Sequence, residues 1–374
     1  MLINVEIVTN LQRLRAVGAA WNTLWRPSDS VFQSHPWLIA WAVECPDVTL
    51  RVACAWSEHR LIAVLPLCIR RWHGLRVLEW AAQTYSDYCD AILPSRCPMV
   101  LEAMWKAVCE AGQFDFARLK HIRPDAIVQP FLQKISTEER AETCLQVVRQ
   151  WPNGHTWFRH LNKKTRNNFT RGKRILGEVV FRQLCDDEPW KPVVARLLHL
   201  KRQRPENRAA PLVRSETALV ALTEALHTIG SLRIFVMERD GTVIAGSINA
   251  VHHGKMLALF ATYDTAEERG SPGILLMTEY TIWGFNHGMT EIDYLLGDEP
   301  YKFRYANREI KLHIFVVPQT LRGRLAIAAY RHLRPPPEPS EIVIGSAYLT
   351  AKGTRREPQS EIVETRRWPV DTDY

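Results

Sequence analysis

The sequence lacks the short motifs that identify several large enzyme classes. It contains no G-x-S-x-G, Walker A segment, H-E-x-x-H or Rossmann glycine fingerprint. These absences argue against a serine hydrolase, a P-loop NTPase and a zinc protease. The eight cysteines are scattered without a C-x-x-C pair, which predicts neither a zinc site nor a disulfide framework. We therefore expect no bound metal.

Long apolar runs and an export leader are also missing. No stretch of about 18 consecutive apolar residues occurs, so no membrane-spanning helix is predicted. Residues 1–17 show no basic segment followed by an apolar core, which predicts that no signal peptide is present. The expected location is the cytoplasm, and the oligomeric state stays undefined.

The 374 residues are basic overall, with a formal net charge of +8 and a sequence pI near 9.1. A charge of this sign favours anionic partners such as nucleotides, tRNA, acidic glycans or an anionic membrane face. An ordinary basic surface is the equal alternative. The apolar fraction of 46% is typical of a globular protein with substantial cores.

Chain length and local composition predict a mixed α/β protein of two domains with a cleft between them. Pro-Asn-Gly within residues 150–156 breaks any regular element, so we place a linker there. The predicted units are an N-terminal domain, 1–150, and a C-terminal domain, 151–333. Residues 334–374 are rich in proline and charge and are predicted to be a disordered tail.

Hydrophobic periodicity gives the expected elements of both halves. In the first half we predict helices at 9–25, from Ser34-His35-Pro36 onward and at 98–111, with extended segments at 49–57, 60–70, 75–82, 84–93 and 114–122. In the second half we predict helices at 157–176, 189–203, 214–229, 272–287 and 320–332, and strands at 178–184, 232–239, 242–252, 255–264, 290–295 and 309–317.

The segment 260–305 carries the chemistry-bearing residues. Ser271 and Pro272 are suited to open a helix, whose unpaired N–H groups and dipole attract an anion. Gly270 and Gly273 leave room for close approach of a phosphate or carboxylate. An ordinary helix cap is the alternative explanation for these four residues.

The turn after the strand at 290–295 contains candidates for catalysis. Lys302 is suited to polarise a carbonyl or pair with a phosphate, and Tyr301 to move a proton. Asp293 and Asp298 are candidates for orienting an amine or acting as a base. An exposed surface turn with an ion pair is the competing interpretation. The run Asp87, Tyr88, Cys89, Asp90 is expected either to line the cleft or to form a simple turn.

The predicted helix 157–176 is strongly basic. It carries six basic residues without an intervening acid, namely Lys163, Lys164, Arg166, Arg171, Lys173 and Arg174. Lys163, Arg166 and Arg174 fall on one face by helical spacing, while Phe169 and Leu161 indicate the buried side. A polyanionic partner would relieve the repulsion, and a solvated basic face is the alternative.

These motifs, taken in order, resemble a known family. The matching segments are Phe32-Gln33-Ser34-His35-Pro36-Trp37 with Trp41, Leu161-Asn162-Lys163-Lys164-Thr165-Arg166-Asn167-Asn168, Val243-Ile244-Ala245-Gly246, Tyr263-Asp264, Ser271-Pro272-Gly273, Asp293-Tyr294-Leu295-Leu296-Gly297 and Tyr301-Lys302. Over residues 30–320 the chain is similar to the acetyltransferase family grouped with bacterial cellulose-biosynthesis proteins of the CelD/BcsL type. That family belongs to the GNAT superfamily and is related to FemAB-like aminoacyltransferases.

The resemblance implies two GNAT-like domains in tandem and transfer of an acyl group from acetyl-CoA, another acyl-CoA or an acyl carrier protein to a small-molecule or glycan amine. It implies that Tyr301 and Lys302 lie near the reacting groups and that Asp293 orients the amine. Arg269, Gly270, Ser271 and Gly273 would hold the carrier, together with basic residues of the helix at 157–176. Exopolysaccharide or envelope synthesis would be the setting.

The chain departs from the usual GNAT pyrophosphate loop, which has the pattern Gln/Arg-x-x-Gly-x-Gly/Ala. The matching residues here are 269–274, where Pro272 removes one backbone donor and Ile274 replaces the second small residue. Standard CoA binding is therefore not assured by the motif. Two alternatives stay open: a FemAB-like transferase that uses aminoacyl-tRNA, and a non-catalytic GNAT-like accessory protein.

Overall fold

A computed structural model describes residues 3–26, 28–93, 97–138, 141–185 and 187–333. The strands are β1 Ile3–Val8, β2 Thr49–Leu50, β3 Val52–Ser57, β4 Arg60–Leu65, β5 Leu67–Trp72, β6 Leu75–Trp80, β7 Phe116–Ile122, β8 Thr137–Glu138, β9 Glu142–Val148, β10 Val180–Gln183, β11 Leu232–Arg239, β12 Thr242–His252, β13 Lys255–Tyr263, β14 Glu291–Leu296 and β15 Arg308–Pro318.

The helices lie between these strands and on both faces of the sheet. They are α1 Leu11–Ala16, α2 Gly18–Leu24, α3 His35–Glu44, α4 Pro98–Ala111, α5 Gln129–Ile135, α6 Gly154–His160, α7 Lys163–Leu176, α8 Trp190–Arg202, α9 Pro211–Arg214, α10 Glu216–Thr228, α11 Pro272–Asn286 and α12 Leu321–Leu333.

Most strands belong to one large mixed sheet, ordered β10-β11-β12-β13-β14-β9-β15-β7-β6-β5-β2, with β8 paired to β15. Neighbouring strands are antiparallel except for β13 with β14 and β6 with β7, which are parallel. A smaller sheet has the order β1-β3-β4. This architecture confirms the predicted mixed α/β fold class.

The large sheet is continuous across the linker predicted at residue 150. Strand β9 precedes that point in the chain but lies between β14 and β15, which both follow it. Strand β15 also pairs with β7 of the first half. Strands from both halves therefore interlock in space. The limits 1–150 and 151–333 stay a prediction, and the tail 334–374 lies outside the described residues.

The meander β11–β12–β13 agrees closely with the sequence pattern. Asp240 and Gly241 both have positive φ, 48° and 72°, as the primed hairpin turn requires. Alternate residues of β11 face opposite sides of the sheet, since side chains alternate along a strand. Phe235 and Met237 pack with α11, whereas Ile234 and Val236 pack with α8. The sheet is thus covered on both faces at this point.

Several predicted elements are divided in the structure. The helix expected at 9–25 is two helices that meet at Val17. The helix expected at 157–176 is α6 and α7, because Asn162 adopts an extended conformation and its side chain caps Thr165 N–H. The strand expected at 60–70 is interrupted at Pro66, and its parts, β4 and β5, join different sheets.

Candidate functional site

The parallel strands β13 and β14 are paired over only a short stretch. Lys255–Leu257 are aligned with Glu291–Asp293, and the pairing ends after these three residue pairs. Both strands continue, β13 to Tyr263 and β14 to Leu296. Helix α11 connects them and begins on the side where they separate. We call this opening the β13–β14 gap; ligands of open α/β sheets bind at such strand ends.

A buried carboxylate shapes the end of β14. Asp293 is 0% exposed and accepts hydrogen bonds from Tyr88 Oη at 2.6 Å, Gln146 Nε2 at 2.6 Å and Leu295 N–H at 2.8 Å. Arg308 Nε donates to Gln146 Oε1 at 2.7 Å, which turns the amide nitrogen toward Asp293. Leu295 has a positive φ of 57°, a strained conformation for a leucine. Asp293 therefore stabilises the bend that ends the strand.

The pKa values of the two carboxyl groups near this bend are raised. Burial raises the pKa of Asp293 to about 6, although its three hydrogen-bond donors act in the opposite direction. Burial also raises the pKa of Asp87, which accepts Leu296 N–H at 3.1 Å. The two carboxyls together hold Leu295 and Leu296. Asp293 is enclosed, so it positions other groups and does not meet a substrate directly.

Lys302 is fixed against the same bend. Its Nζ donates to Leu296 O at 2.9 Å and lies 2.9 Å from Glu299 Oε2, while its side chain is largely buried. Gly297 allows this arrangement, with φ of +120°; a Cβ there would lie 2.3 Å from Glu299 Oε2 and 2.9 Å from Lys302 Nζ. The predicted residues Lys302 and Asp293 thus bind two consecutive residues at the end of β14, Lys302 at Leu296 O and Asp293 at Leu295 N–H.

The other two predicted catalytic residues lie in the same segment. Tyr301 precedes Lys302 and packs against the core cluster that contains Tyr280. Asp298 is exposed at the surface of the turn. The segment 297–302 therefore offers one buried cation, one partly buried phenol and one exposed carboxylate.

A second lysine reaches the gap from the opposite side. Lys201 of α8 is 8% exposed and its Nζ donates to Ala261 O of β13 at 2.9 Å. Burial lowers the pKa of Lys201 to about 8, and the nearby positive charges of Arg204 and Lys302 act in the same direction. Arg204 itself lies over the Tyr263 ring, 4.1 Å from its centroid, and 3.9 Å from Glu268.

Three residues of this site, Lys201, Gln146 and Glu299, were not predicted from the sequence. Helical periodicity placed Lys201 on a helix but gave no sign that its ammonium group is buried. Asp87 and Tyr88, expected in a cleft or a turn, reach the end of β14. Asp90 instead accepts Ile127 N–H at 2.7 Å and Val128 N–H at 3.1 Å, away from this strand.

The predicted anion loop lies at the start of α11. Arg269 and Ser271 are exposed, and Ser271 is the N-cap in a left-handed conformation, φ 53°, without a capping hydrogen bond from its side chain. Gly270 is buried, and a Cβ there would lie 2.3 Å from Leu176 Cδ2 of α7. The absence of a side chain at Gly270 thus permits helix packing. Gly273 lies in the first turn of α11.

Helix α7 lies beside this loop. A Cβ at Gly172 would lie 2.7 Å from Gly270 O, so the helix and the loop are in close contact. Lys163 and Arg174 are exposed, whereas Arg166 donates to Arg159 O and Leu161 O and so fixes the turn into α7. Phe169 is buried as expected. The C-terminal part of α7 therefore contacts the loop before α11, whereas Lys163 and Arg166 lie in the first turn of α7.

We expect Tyr88→Phe to destabilise the protein by about 1–3 kcal/mol, because Asp293 keeps its buried charge but loses one donor. The measurement is urea unfolding at pH 7.5. Tyr85→Phe is the matched control, since Tyr85 is only half-buried and lies three residues away. Equal stability of the two variants would contradict the assigned hydrogen bond.

In the part of the chain that the structure describes, no helix is long and apolar enough to cross a membrane. Among the same residues, no group of three or more histidine, cysteine, aspartate or glutamate side chains is arranged to hold a metal ion.

The segment that contains β13, α11 and β14 is similar to known proteins. Residues 159–303 match the family described as an acetyltransferase (GNAT) domain, and this segment includes the β13–β14 gap. No curated protein matches the chain in sequence. The narrower resemblance to the CelD/BcsL family stays a prediction.

Several solved structures share the fold over nearly the whole chain. FemX is 10% identical, with a TM-score of 0.57, and the match covers 89% of this chain and 100% of FemX. L-PGS from Bacillus licheniformis is 12% identical, with a TM-score of 0.54, and the match covers 87% of this chain and 97% of L-PGS. A protein of unknown function from Bacteroides thetaiotaomicron is 13% identical, with a TM-score of 0.52, and the match covers 84% of this chain and 100% of that protein. At these identities the similarity concerns the fold.

Proposed function

We propose that this protein is an N-acyltransferase that moves an acyl group from a thioester donor to an amine acceptor. The observation that carries the proposal is the β13–β14 gap within the GNAT domain, with buried Lys302 at one wall and the start of α11 on the same side. The donor is acetyl-CoA, another acyl-CoA or an acyl carrier protein, which share the same thioester chemistry.

The reaction requires a site for negative charge. The amine nitrogen bonds to the thioester carbonyl carbon, and the carbonyl oxygen takes the negative charge. Collapse of this intermediate breaks the C–S bond and releases a thiolate. A buried ammonium stabilises such an oxyanion strongly, because little water competes with it. We assign this role to Lys302, whose orientation is fixed by Leu296 O and Glu299.

Two protons must also move. The thiolate needs a proton, and we assign its donation to the phenol of Tyr301, next to Lys302. The attacking amine must lose a proton, and exposed Asp298 is the proposed acceptor, through solvent. Asp293 is assigned as a positioning residue, because it accepts Leu295 N–H at the strand end, next to the residue whose carbonyl accepts from Lys302.

We assign donor binding to the start of α11 and the neighbouring face of α7. The helix N-terminus supplies N–H groups and a positive dipole end, and Arg269, Lys163 and Arg174 add exposed positive charge. Arg166 contributes by holding α7 in place. The acceptor we propose is an amino sugar or small amine used in exopolysaccharide or envelope synthesis, as the CelD/BcsL resemblance implies.

Two features at the start of α11 favour aminoacyl-tRNA as a second class of donor. Pro272 removes an N–H from the first turn of α11, while α7 presents a basic surface beside it. An aminoacyl-tRNA would use the basic surface through its phosphates and would depend less on a pyrophosphate loop.

The test is a thermal-shift titration with free CoA, acetyl-CoA and longer acyl-CoAs, followed by an assay of thiol release with glucosamine. A ligand at about 100 times its Kd stabilises a protein by about 2.7 kcal/mol, which corresponds to several degrees. We expect a shift that depends on the acyl chain, and thiol release that depends on the amine.

The absence of both effects would contradict the thioester proposal. Binding of charged tRNA that weakens by about 10³-fold between 50 and 200 mM salt would then favour the second donor class. Binding of neither donor would favour a non-catalytic accessory protein.

A further inference from the structure

The ammonium group of Lys201 is buried without an opposite charge in contact. Its Nζ donates to a neutral acceptor, Ala261 O, and lies 5.5 Å from the centroid of the Phe260 ring. Among the described residues, no carboxylate lies within ion-pair distance of Lys201. Burying a charge without such a partner is costly, so proteins usually pair it or leave it exposed.

The neighbouring charges make this position more positive. Arg204 and Lys302 both act on Lys201 and lower its pKa, whereas Glu299 acts in the opposite direction. Glu299 is already paired with Lys302, and Glu268 lies 3.9 Å from Arg204. Among the described residues, none in contact with Lys201 neutralises its positive charge.

Lys201 also lies beside the β13–β14 gap. Lys201 binds the carbonyl of Ala261, beyond the last residue of β13 that pairs with β14. Lys302 binds the carbonyl of Leu296, on the facing strand end. Ala261 and Leu296 are both partly exposed, so the space between the two strand ends is open to solvent at its margin.

We propose that Lys201 forms a subsite for an anionic group of the acceptor, a carboxylate or a phosphate, inside the β13–β14 gap. The anion would supply the missing counter-charge, and its binding would select acceptors that carry both an amine and a negative group. Assigning this group to the acceptor rests on the proposed function; the anion subsite itself rests on the burial of Lys201, its bond to Ala261 O beside the gap and the charges around it.

The first experiment needs no enzymatic activity. Wild type, Lys201→Met and Lys191→Met are compared in thermal unfolding with acetate, inorganic phosphate or chloride at equal ionic strength. Lys191 is the matched control, since it lies on the same helix but is exposed and paired with Glu224. Comparing acetate with phosphate distinguishes a carboxylate subsite from a phosphate subsite.

We expect acetate or phosphate to raise the Tm of wild type and of Lys191→Met by a few degrees above the chloride value, and to leave Lys201→Met unchanged. Lys201→Met should itself be at least as stable as wild type without anions, because it removes an uncompensated buried charge. In ¹⁵N spectra of lysine side chains, the bound anion should raise the pKa of Lys201. Equal anion effects in all three proteins would overturn the proposal.

The second experiment uses matched acceptors: glucosamine with glucosamine 6-phosphate, and alaninamide with alanine. We expect the charged member of one pair to have a KM about tenfold lower, and this preference to disappear in Lys201→Met with little change in kcat. Anion stabilisation without any acyl transfer would keep the subsite and reject the proposed function. Acyl transfer without any preference would reject the acceptor assignment alone.

Discussion

Replacing Lys302 by methionine is expected to lower kcat for acyl transfer by about 10²- to 10³-fold, the usual effect of removing one oxyanion donor. Methionine keeps much of the side-chain volume but cannot stabilise negative charge. Single-turnover release of thiol measures the effect on the chemical step. Lys255→Met is the matched control, because Lys255 is exposed at the opposite end of β13, where the two strands are still paired.

The change also removes the ion pair that Lys302 makes with a buried carboxylate. Glu299 is 9% exposed and its Oε2 lies 2.9 Å from Lys302 Nζ, so the single variant should lose about 3–5 kcal/mol of stability. The double variant Glu299→Gln/Lys302→Met removes both charges and should recover much of this loss. If its activity stays low while its stability recovers, the effect on kcat is chemical. A single variant that keeps more than half of wild-type kcat would contradict the role of Lys302 and favour an accessory protein.

The elements around this lysine were largely predictable from local patterns. Apolar alternation and the Asp240-Gly241 turn gave the three strands β11–β13, and Ser271-Pro272 gave the start of α11. These signals are local because turn conformation and strand alternation depend on neighbouring residues. The position of Lys302 in the turn after the strand at 290–295 followed from the same patterns.

The remaining features depend on contacts between distant residues. Strand β9 was not predicted, and it is placed in the sheet by pairing with β14 and β15, more than 100 residues away along the chain. Tyr88 and Asp293 are separated by 205 residues, so no local pattern indicates their hydrogen bond. Lys201 has the sequence environment of an exposed helical lysine, and only the packing of α8 on β13 buries it.

Asp293→Asn is expected to lower kcat by about 10- to 100-fold at pH 7.5, with a smaller effect on KM. The asparagine would direct an amide at groups that all donate, so the bend at Leu295 and the carbonyl held by Lys302 would shift. A displacement of about 1 Å in a catalytic group can cost about 10²-fold in rate. Asp240→Asn is the matched control, since it makes the same change in a hairpin turn with positive φ.

The wild type should lose activity as the pH falls through about 6, the pKa of Asp293, because the carboxylate must be ionised to accept its three donors. The contribution of Asp293 to folding stability should change with pH in the opposite direction to the activity. Its pKa in the folded state is raised from 3.8, so its protonation favours the folded state at low pH, and that contribution is lost as the pH rises through about 6. We therefore expect the acid loss of kcat to occur with unchanged circular dichroism, and to be absent from the residual activity of Asp293→Asn. If kcat of the Asp293→Asn variant falls at low pH with the same midpoint, a group other than Asp293 controls the loss of activity.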